Sequence, residues 1–146
     1  MNKMHIGIVS GYFNPIHRGH LEYINAAKEE CDFLVVIVNN DLQVELKGSK
    51  EFMDEEHRVE IVNNLKSTDM GIISIDNSPS VAQTIKFIRG LFIEKYNTFT
   101  FYNSGDRNPN STNSKEDIMC QQLGIKTKFL DLPKIYSSSE LKNSVY

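Results

Sequence analysis

The amino-acid sequence predicts an α/β fold, a doubly wound parallel sheet of five strands. Short runs of apolar, β-branched residues such as Phe33–Val38 are typical of strands buried on both faces of a parallel sheet. Segments in which apolar residues recur with helical spacing alternate with these runs. A turn rich in glycine and histidine joins the first run to the first helical segment, at the place where such folds bind ligands.

The predicted strands are the apolar runs at residues 5–10, 33–38, 71–75, 98–102 and 127–130. The predicted helices fill the gaps between them, at residues 21–30, after the acidic residues 54–56, at residues 81–94 and at residues 115–123. Ser78 and Pro79 are expected to cap and open the third helix. Gly124 is placed to end the fourth helix. Right-handed connections would put helices on both faces of the sheet.

Composition limits the classes of protein that the chain can belong to. Its 146 residues suit one domain, predicted over residues 1–146, and the net charge of −3 gives no electrostatic reason to expect nucleic-acid binding. Cys31 and Cys120 are too far apart for a zinc motif, and two buried thiols in a reducing cytosol are expected. The sequence shows no signal peptide and no apolar run of about 20 residues, so we expect a cytoplasmic protein without a membrane partner.

The most informative segment is Gly11-Tyr-Phe-Asn-Pro-Ile-His17-Arg-Gly-His20. A strand, a tight turn and a helix start bring backbone N–H groups and the helix dipole together, which favours phosphate binding. Histidines three residues apart lie on one face of a helix, and their imidazoles can donate hydrogen bonds to phosphate oxygens. The alternative is an ordinary turn with two surface histidines.

His17-Arg-Gly-His20 resembles the HxGH signature of the nucleotidyltransferases that include cytidylyltransferases and small adenylyltransferases. Further segments resemble that family in the same order: Val38-Asn-Asn-Asp41, Leu46-Lys-Gly48, Glu56-His-Arg58, Asn103-Ser-Gly-Asp106 and Ser137-Ser-Ser139. The resemblance is nearest to the glycerol-phosphate cytidylyltransferase and heptose-phosphate adenylyltransferase branches. It implies a Rossmann-like fold of the HxGH nucleotidyltransferase type.

The resemblance also implies which residues act in catalysis. His17 and His20 would donate hydrogen bonds to the reacting phosphate. Lys47 would reach the phosphates as a mobile point charge, and the nearby Lys50 is the alternative for that role. No side-chain nucleophile is required for this chemistry, because the acceptor's own phosphate attacks.

The predicted nucleotide contacts come from the turn after the first strand, the long polar loop and the start of the last helix. By resemblance they are Gly11, Tyr12, Phe13, Gly19, Asp106, Arg107, Ser137, Ser138 and Ser139. Asp106 is as readily explained as a turn residue, and the serines as helix caps. Either Lys134 or Arg107 would supply the charge of an arginine that many cytidylyltransferases carry before the last helix.

Asn39, Asp41 and Arg58 are the predicted contacts to the acceptor substrate. A turn at the end of the second strand explains Asn39 and Asp41 nearly as well. An ion pair with an acidic partner is the alternative for Arg58.

Together these features predict a nucleotidyltransferase that moves CMP from CTP to a polyol or sugar phosphate and releases pyrophosphate. The alternatives are an ATP-dependent adenylyltransferase acting on a sugar phosphate and a nucleotide-binding module without catalysis. The Asn14-Pro15 pair stands where many cytidylyltransferases have Asp-Leu, and it is also common among adenylyl-transferring relatives. Mg²⁺ is expected to bind mainly through the triphosphate. Relatives of this kind often form homodimers, so a homodimer is a further expectation.

Overall fold

A computed structural model describes residues 4–104 and 114–132 of the chain. This part of the chain holds five strands and five helices, which alternate except where two helices follow one another. In order they are β1 (His5–Gly11), α1 (Arg18–Glu29), β2 (Phe33–Val38), α2 (Asp41–Leu46), α3 (Glu55–Asn63), β3 (Met70–Ile73), α4 (Ala82–Phe92), β4 (Thr98–Asn103), α5 (Lys115–Leu123) and β5 (Lys126–Phe129).

The strands form one parallel sheet in the order β3-β2-β1-β4-β5. This arrangement confirms the predicted doubly wound parallel five-stranded sheet. β1 lies at the centre, and the strand order reverses on its two sides, toward β2 and toward β4. The turn after β1 therefore lies at the switch point where ligands bind in such sheets.

Each face of the sheet carries its own apolar core, because side chains alternate along buried strands. The first core lies against α4 and α5 and includes Ile8, Ile37 and Ile85. The second lies against α1 and α3 and includes Ile24 and Val36. The continuous apolar runs of the sequence are explained by burial on both faces.

Helix α2 has no counterpart among the predicted helices. It is six residues long and begins with a capping box, in which the Asn40 side chain accepts a hydrogen bond from the Gln43 N–H at 2.8 Å. In return, Gln43 Oε1 accepts from the Asn40 N–H at 2.9 Å. Such reciprocal bonds satisfy the free N–H groups of a helix start and allow a helix too short to show apolar periodicity.

The prediction that Ser78 and Pro79 open the next helix is wrong. Helix α4 begins at Ala82, and the carboxylate of Asp76 accepts hydrogen bonds from the backbone N–H groups of Gln83 and Thr84, both at 2.9 Å. Ser80 Oγ accepts from the Ala82 N–H at 3.0 Å, so a nearby hydroxyl and an acidic side chain farther upstream together cap this helix. Gly124, with φ of 71°, ends α5 as predicted.

The two cysteines have no sign of reactivity. Cys120 is buried, as predicted, and Cys31 is half-buried. Burial raises the pKa of the Cys31 thiol to about 11, so this thiol stays protonated near neutral pH. No helix in residues 4–104 or 114–132 is long and apolar enough to cross a membrane.

Candidate active site

The candidate site is built on the turn that joins β1 to α1, at the switch point of the sheet. His17 is the N-cap residue of α1, and His20 is its third residue. The two imidazoles are stacked, with 3.8 Å between ring centroids and 25° between ring planes. The structure therefore brings the two predicted catalytic histidines together at a helix N-terminus, where anions bind favourably.

Backbone contacts determine which nitrogen of each imidazole carries the proton. His17 Nδ1 accepts a hydrogen bond from the Gly19 N–H at 3.1 Å, and His20 Nδ1 accepts from the His17 N–H at 3.1 Å. A ring whose Nδ1 is an acceptor carries its proton on Nε2 when it is neutral. Both histidines thus have Nε2–H donors, and the Gly19 amide serves as the partner of His17.

The pKa of His20 is lowered to about 3, first by burial and then by electrostatic interaction with the neighbouring His17 imidazole and with Lys47. The pKa of a histidine in the unfolded chain is about 6.5. Above that pH His20 is neutral in both states, and the protein keeps the full stability that depends on a neutral His20. The stabilisation is lost as the pH falls from about 6.5 toward 3. At neutral pH His20 is a neutral Nε2–H donor.

The aromatic ring of Phe13 packs against His20. Phe13 is 1% exposed, and its ring meets the His20 ring edge-on at 4.9 Å between centroids. Its φ of 51° lies in the left-handed region, which side chains other than glycine rarely adopt. The ring lies so close to Gly11 that an added Cβ there would be 2.8 Å from Phe13 Cζ.

Gly11→Ala is therefore expected to lower the free energy of unfolding by about 1–3 kcal/mol, because the methyl group overpacks the Phe13 ring. Gly90→Ala is the matched control, since Gly90 lies in α4 with nothing near its Cβ position. That control should stabilise the protein by about 0.5–1 kcal/mol. Urea denaturation measures both changes, and a stabilising effect of Gly11→Ala would contradict the packing assignment.

Lys47 is the C-cap residue of α2. Its Nζ is 4.2 Å from the centroid of the Tyr12 ring, and its charge contributes to the low pKa of His20. The structure thus brings the Lys47 ammonium onto the ring of Tyr12, in the turn that precedes the histidines. The alternative residue, Lys50, contributes its backbone carbonyl to a different contact, with Asn14.

Asn14 is a site residue whose role sequence reasoning missed. It is 3% exposed, and its side chain donates to the Lys50 carbonyl at 3.0 Å and accepts from the Phe52 N–H at 2.7 Å. Asn14 thus fastens the loop that follows Lys47 to the turn that precedes the histidines. Its position inside the histidine motif was the available signal, because a buried amide in a turn needs partners for both its ends.

Asn14→Asp is expected to lower the free energy of unfolding by about 1–3 kcal/mol, because a carboxylate cannot donate to the Lys50 carbonyl. Asn63→Asp is the matched control. Asn63 makes the same pair of bonds, to the carbonyl and N–H of Gly71, but on the exposed surface where water replaces them. The control should change stability by about 0.5 kcal/mol or less. Equal losses for the two variants in urea denaturation at pH 7 would contradict this role of Asn14.

The guanidinium of Arg58 binds groups of the protein itself. It is 1% exposed and donates to the carbonyl oxygens of Met53, Tyr12 and Asn39 at 2.9, 2.8 and 2.6 Å. Its Nη2 also donates to Asp41 Oδ1 at 2.7 Å. The structure shows the ion-pair alternative for Arg58, and contact of Arg58 with an acceptor substrate stays a prediction. Arg58 joins the turn after β1 to the end of β2 and the start of α2.

Asn39 and Asp41 also have partners within the protein. The Asn39 side chain is 4% exposed and donates to Gln43 Oε1 at 3.1 Å. The Asp41 carboxylate is a third exposed and faces Arg58. Asn39 has the contacts of a structured strand end, and its contact with an acceptor stays a prediction. Contact of Asp41 with an acceptor stays a prediction.

The chain matches the family described as cytidylyltransferase-like over residues 8–143. It belongs to this family. The match includes the turn, α1 and the lysine loop, so the resemblance inferred from the histidine motif is confirmed.

The curated relatives that this chain matches differ in length. The bifunctional protein HldE of Bradyrhizobium sp. (strain ORS 278) is 32% identical over 99 residues, which cover 66% of this chain and 20% of that protein. The FAD synthase of Picrophilus torridus is 27% identical over 142 residues, 94% of each chain. The chain therefore spans about a fifth of HldE and nearly the whole of this FAD synthase.

Two solved structures share the fold. The lipopolysaccharide core biosynthesis protein from Thermoplasma volcanium GSS1 has a TM-score of 0.62 and 24% identity, covering 90% of this chain and 99% of that one. Thermotoga maritima TmcAL, bound with alpha-thio ATP, has a TM-score of 0.61 and 14% identity, covering 97% of this chain and 50% of that one. At these identities the likeness establishes the fold of this family member.

Several predicted contacts lie outside the described residues of this family member. They are Asp106, Arg107, Lys134, Ser137, Ser138 and Ser139. Their roles toward a nucleotide stay predictions. Within residues 4–104 and 114–132, no group of three or more His, Cys, Asp or Glu side chains is arranged to hold a metal ion.

Proposed function

We propose that this protein is a nucleotidyltransferase that moves AMP from ATP to the phosphate of a small acceptor and releases pyrophosphate. The observation that carries the proposal is the pair of stacked imidazoles at the start of α1, each with its proton on Nε2, beside the Lys47 ammonium. Two neutral donors and one cation at a helix N-terminus suit a phosphate chain whose charge shifts during reaction.

In the proposed step, an oxygen of the acceptor phosphate attacks the α-phosphorus of the triphosphate. A new phosphorus–oxygen bond forms, the bond to the β-phosphate oxygen breaks, and pyrophosphate leaves with the electron pair. The Nε2–H groups of His17 and His20 donate to oxygens on which negative charge grows, and Lys47 offsets charge on the phosphates. The attacking phosphate is already ionised, so no protein base is needed.

Magnesium would enter this site with the nucleotide. The described residues provide no cage of carboxylates or histidines, so the triphosphate and water would supply the ligands. Bound Mg²⁺ would offset the charge of the triphosphate. The protein's own residues would bind and orient the phosphates at the start of α1.

ATP is preferred to CTP as the donor because of the relatives. A FAD synthase must join AMP to FMN, since FAD consists of these two parts, and TmcAL was solved with an ATP analogue. CTP, which sequence reasoning preferred, is the competing donor. The acceptor class is a small phosphorylated molecule, with a sugar or polyol phosphate expected from the motifs and FMN from the FAD synthase relative.

The proposal is tested with the purified full chain, magnesium and each of ATP, CTP, GTP and UTP. Thermal shift identifies the nucleotide that stabilises the native protein. Pyrophosphate release is then measured with glycerol 3-phosphate, sugar 1-phosphates and FMN. Acceptor-dependent release with ATP supports the proposal, and the same release with CTP alone assigns the other donor. Nucleotide binding without release from any acceptor would favour a binding module.

A further inference from the structure

The Tyr12 ring and the Lys47 ammonium form a contact that the catalytic proposal does not use. The 4.2 Å between Nζ and the ring centroid is well within the range in which a ring face attracts a cation. Lysine side chains are flexible, and holding one in place costs about 1–2 kcal/mol of rotamer entropy. A ring that holds the ammonium before a ligand arrives reduces that cost at the moment of binding.

One buried contact holds the backbone of Tyr12 in place. Its carbonyl accepts from the buried guanidinium of Arg58 at 2.8 Å. The Tyr12 side chain is half-buried, and burial, followed by the charge of the Glu116 carboxylate, raises the pKa of its hydroxyl. The residue that presents its ring to Lys47 is therefore fixed to the scaffold through its main chain.

An aromatic ring differs from a carboxylate as a partner for this lysine. A carboxylate would hold the ammonium but cancel its charge, whereas a ring face attracts the cation and adds no net charge. The ring itself therefore does not reduce the charge that Lys47 offers to an anion. A phosphate chain can then compete with the ring, because a charge-assisted hydrogen bond is the stronger contact.

We propose that Tyr12 is a positioning residue, whose ring holds the Lys47 ammonium in the neighbourhood of His20 so that this cation is ordered before a phosphate ligand binds. The contact itself does not depend on the reaction. Its consequence for turnover rests on the proposed nucleotidyl transfer.

The contact is tested first in the ligand-free protein, by NMR of the full chain with ¹³C-labelled lysine. Protons on Lys47 Cε should be shifted upfield by the ring current, and the signal is assigned by its absence in Lys47→Arg. Tyr12→Phe should keep the upfield shift and Tyr12→Leu should abolish it. A wild-type signal at the position of exposed lysines would overturn the proposal, without need of any Tyr12 variant.

The consequence for binding is tested with inorganic tripolyphosphate as the probe, by calorimetry. Tyr12→Leu should bind it about tenfold more weakly, and Tyr12→Phe should restore the affinity. In a Lys47→Met background, Tyr12→Leu should have no further effect, because Tyr12 acts through the lysine. An undiminished loss in that background would overturn the proposal. A failure of the wild type to release pyrophosphate would count against the proposed function and leave these two measurements valid.

Discussion

His17→Asn and His20→Asn are each expected to lower turnover by about 100-fold or more while the protein stays folded. Asparagine places Oδ1 where the imidazole has Nδ1, so the hydrogen bonds with the N–H groups of Gly19 and His17 can be kept. It lacks the Nε2–H that would donate to the phosphates. Turnover is measured as pyrophosphate release at saturating nucleotide and acceptor, and nucleotide affinity should change much less.

His17→Ala separates catalysis from helix capping. It removes the Nε2–H and also the cap that His17 provides to α1, so it should cost about 1 kcal/mol of stability in addition to turnover. Urea denaturation distinguishes it from His17→Asn, which should unfold near the wild-type midpoint. Near-normal turnover of either asparagine variant would remove the histidines from the proposed mechanism.

Arg58→Met is expected to lower the free energy of unfolding by about 3–5 kcal/mol. The change keeps an apolar side chain in the space but removes every donor from three backbone carbonyls and the Asp41 carboxylate. Each buried carbonyl left without a partner is itself costly. Since domains are stable by only about 5–15 kcal/mol, urea denaturation should show a large shift of the midpoint.

Asp41→Asn is the control for Arg58→Met. It keeps an oxygen that can accept from Arg58, removes only the charge, and acts at a carboxylate that is a third exposed. Its cost should be about 1 kcal/mol or less, as for partly exposed ion pairs. If Arg58→Met cost no more than Asp41→Asn, the buried carbonyl contacts would contribute little to the fold.

The sheet was predictable because each central strand is a short apolar run that is visible in the sequence. Runs such as Phe33–Val38 are buried on both faces and rich in β-branched residues, which favour strands. Helix α2 was missed for the converse reason. Six residues hold too little periodicity, although Asn40 and Gln43 have the spacing of a capping box, which would have been the signal.

The histidine pair was predictable in the same way, because its chemistry lies within one local segment. The full set of Arg58 partners was not predictable, because they lie on the turn after β1, at the end of β2 and at the start of α2. Only the folded chain shows that two backbone carbonyls and the Asp41 carboxylate converge on one guanidinium. The role of Asn14 was hidden for the same reason, because Lys50 and Phe52 are distant in sequence.

One buried hydroxyl limits how the candidate site at the start of α1 can adapt to ligands of different size. Tyr23, in the second turn of α1, donates a hydrogen bond to the carbonyl of Tyr102 near the end of β4. The helix that carries the histidines is thus tied to the strand on the far side of the switch point, and it cannot slide along the sheet without leaving that carbonyl unpaired. We therefore expect side chains such as Lys47 to move to accommodate larger and smaller ligands. The position of the two histidines along the sheet should stay the same.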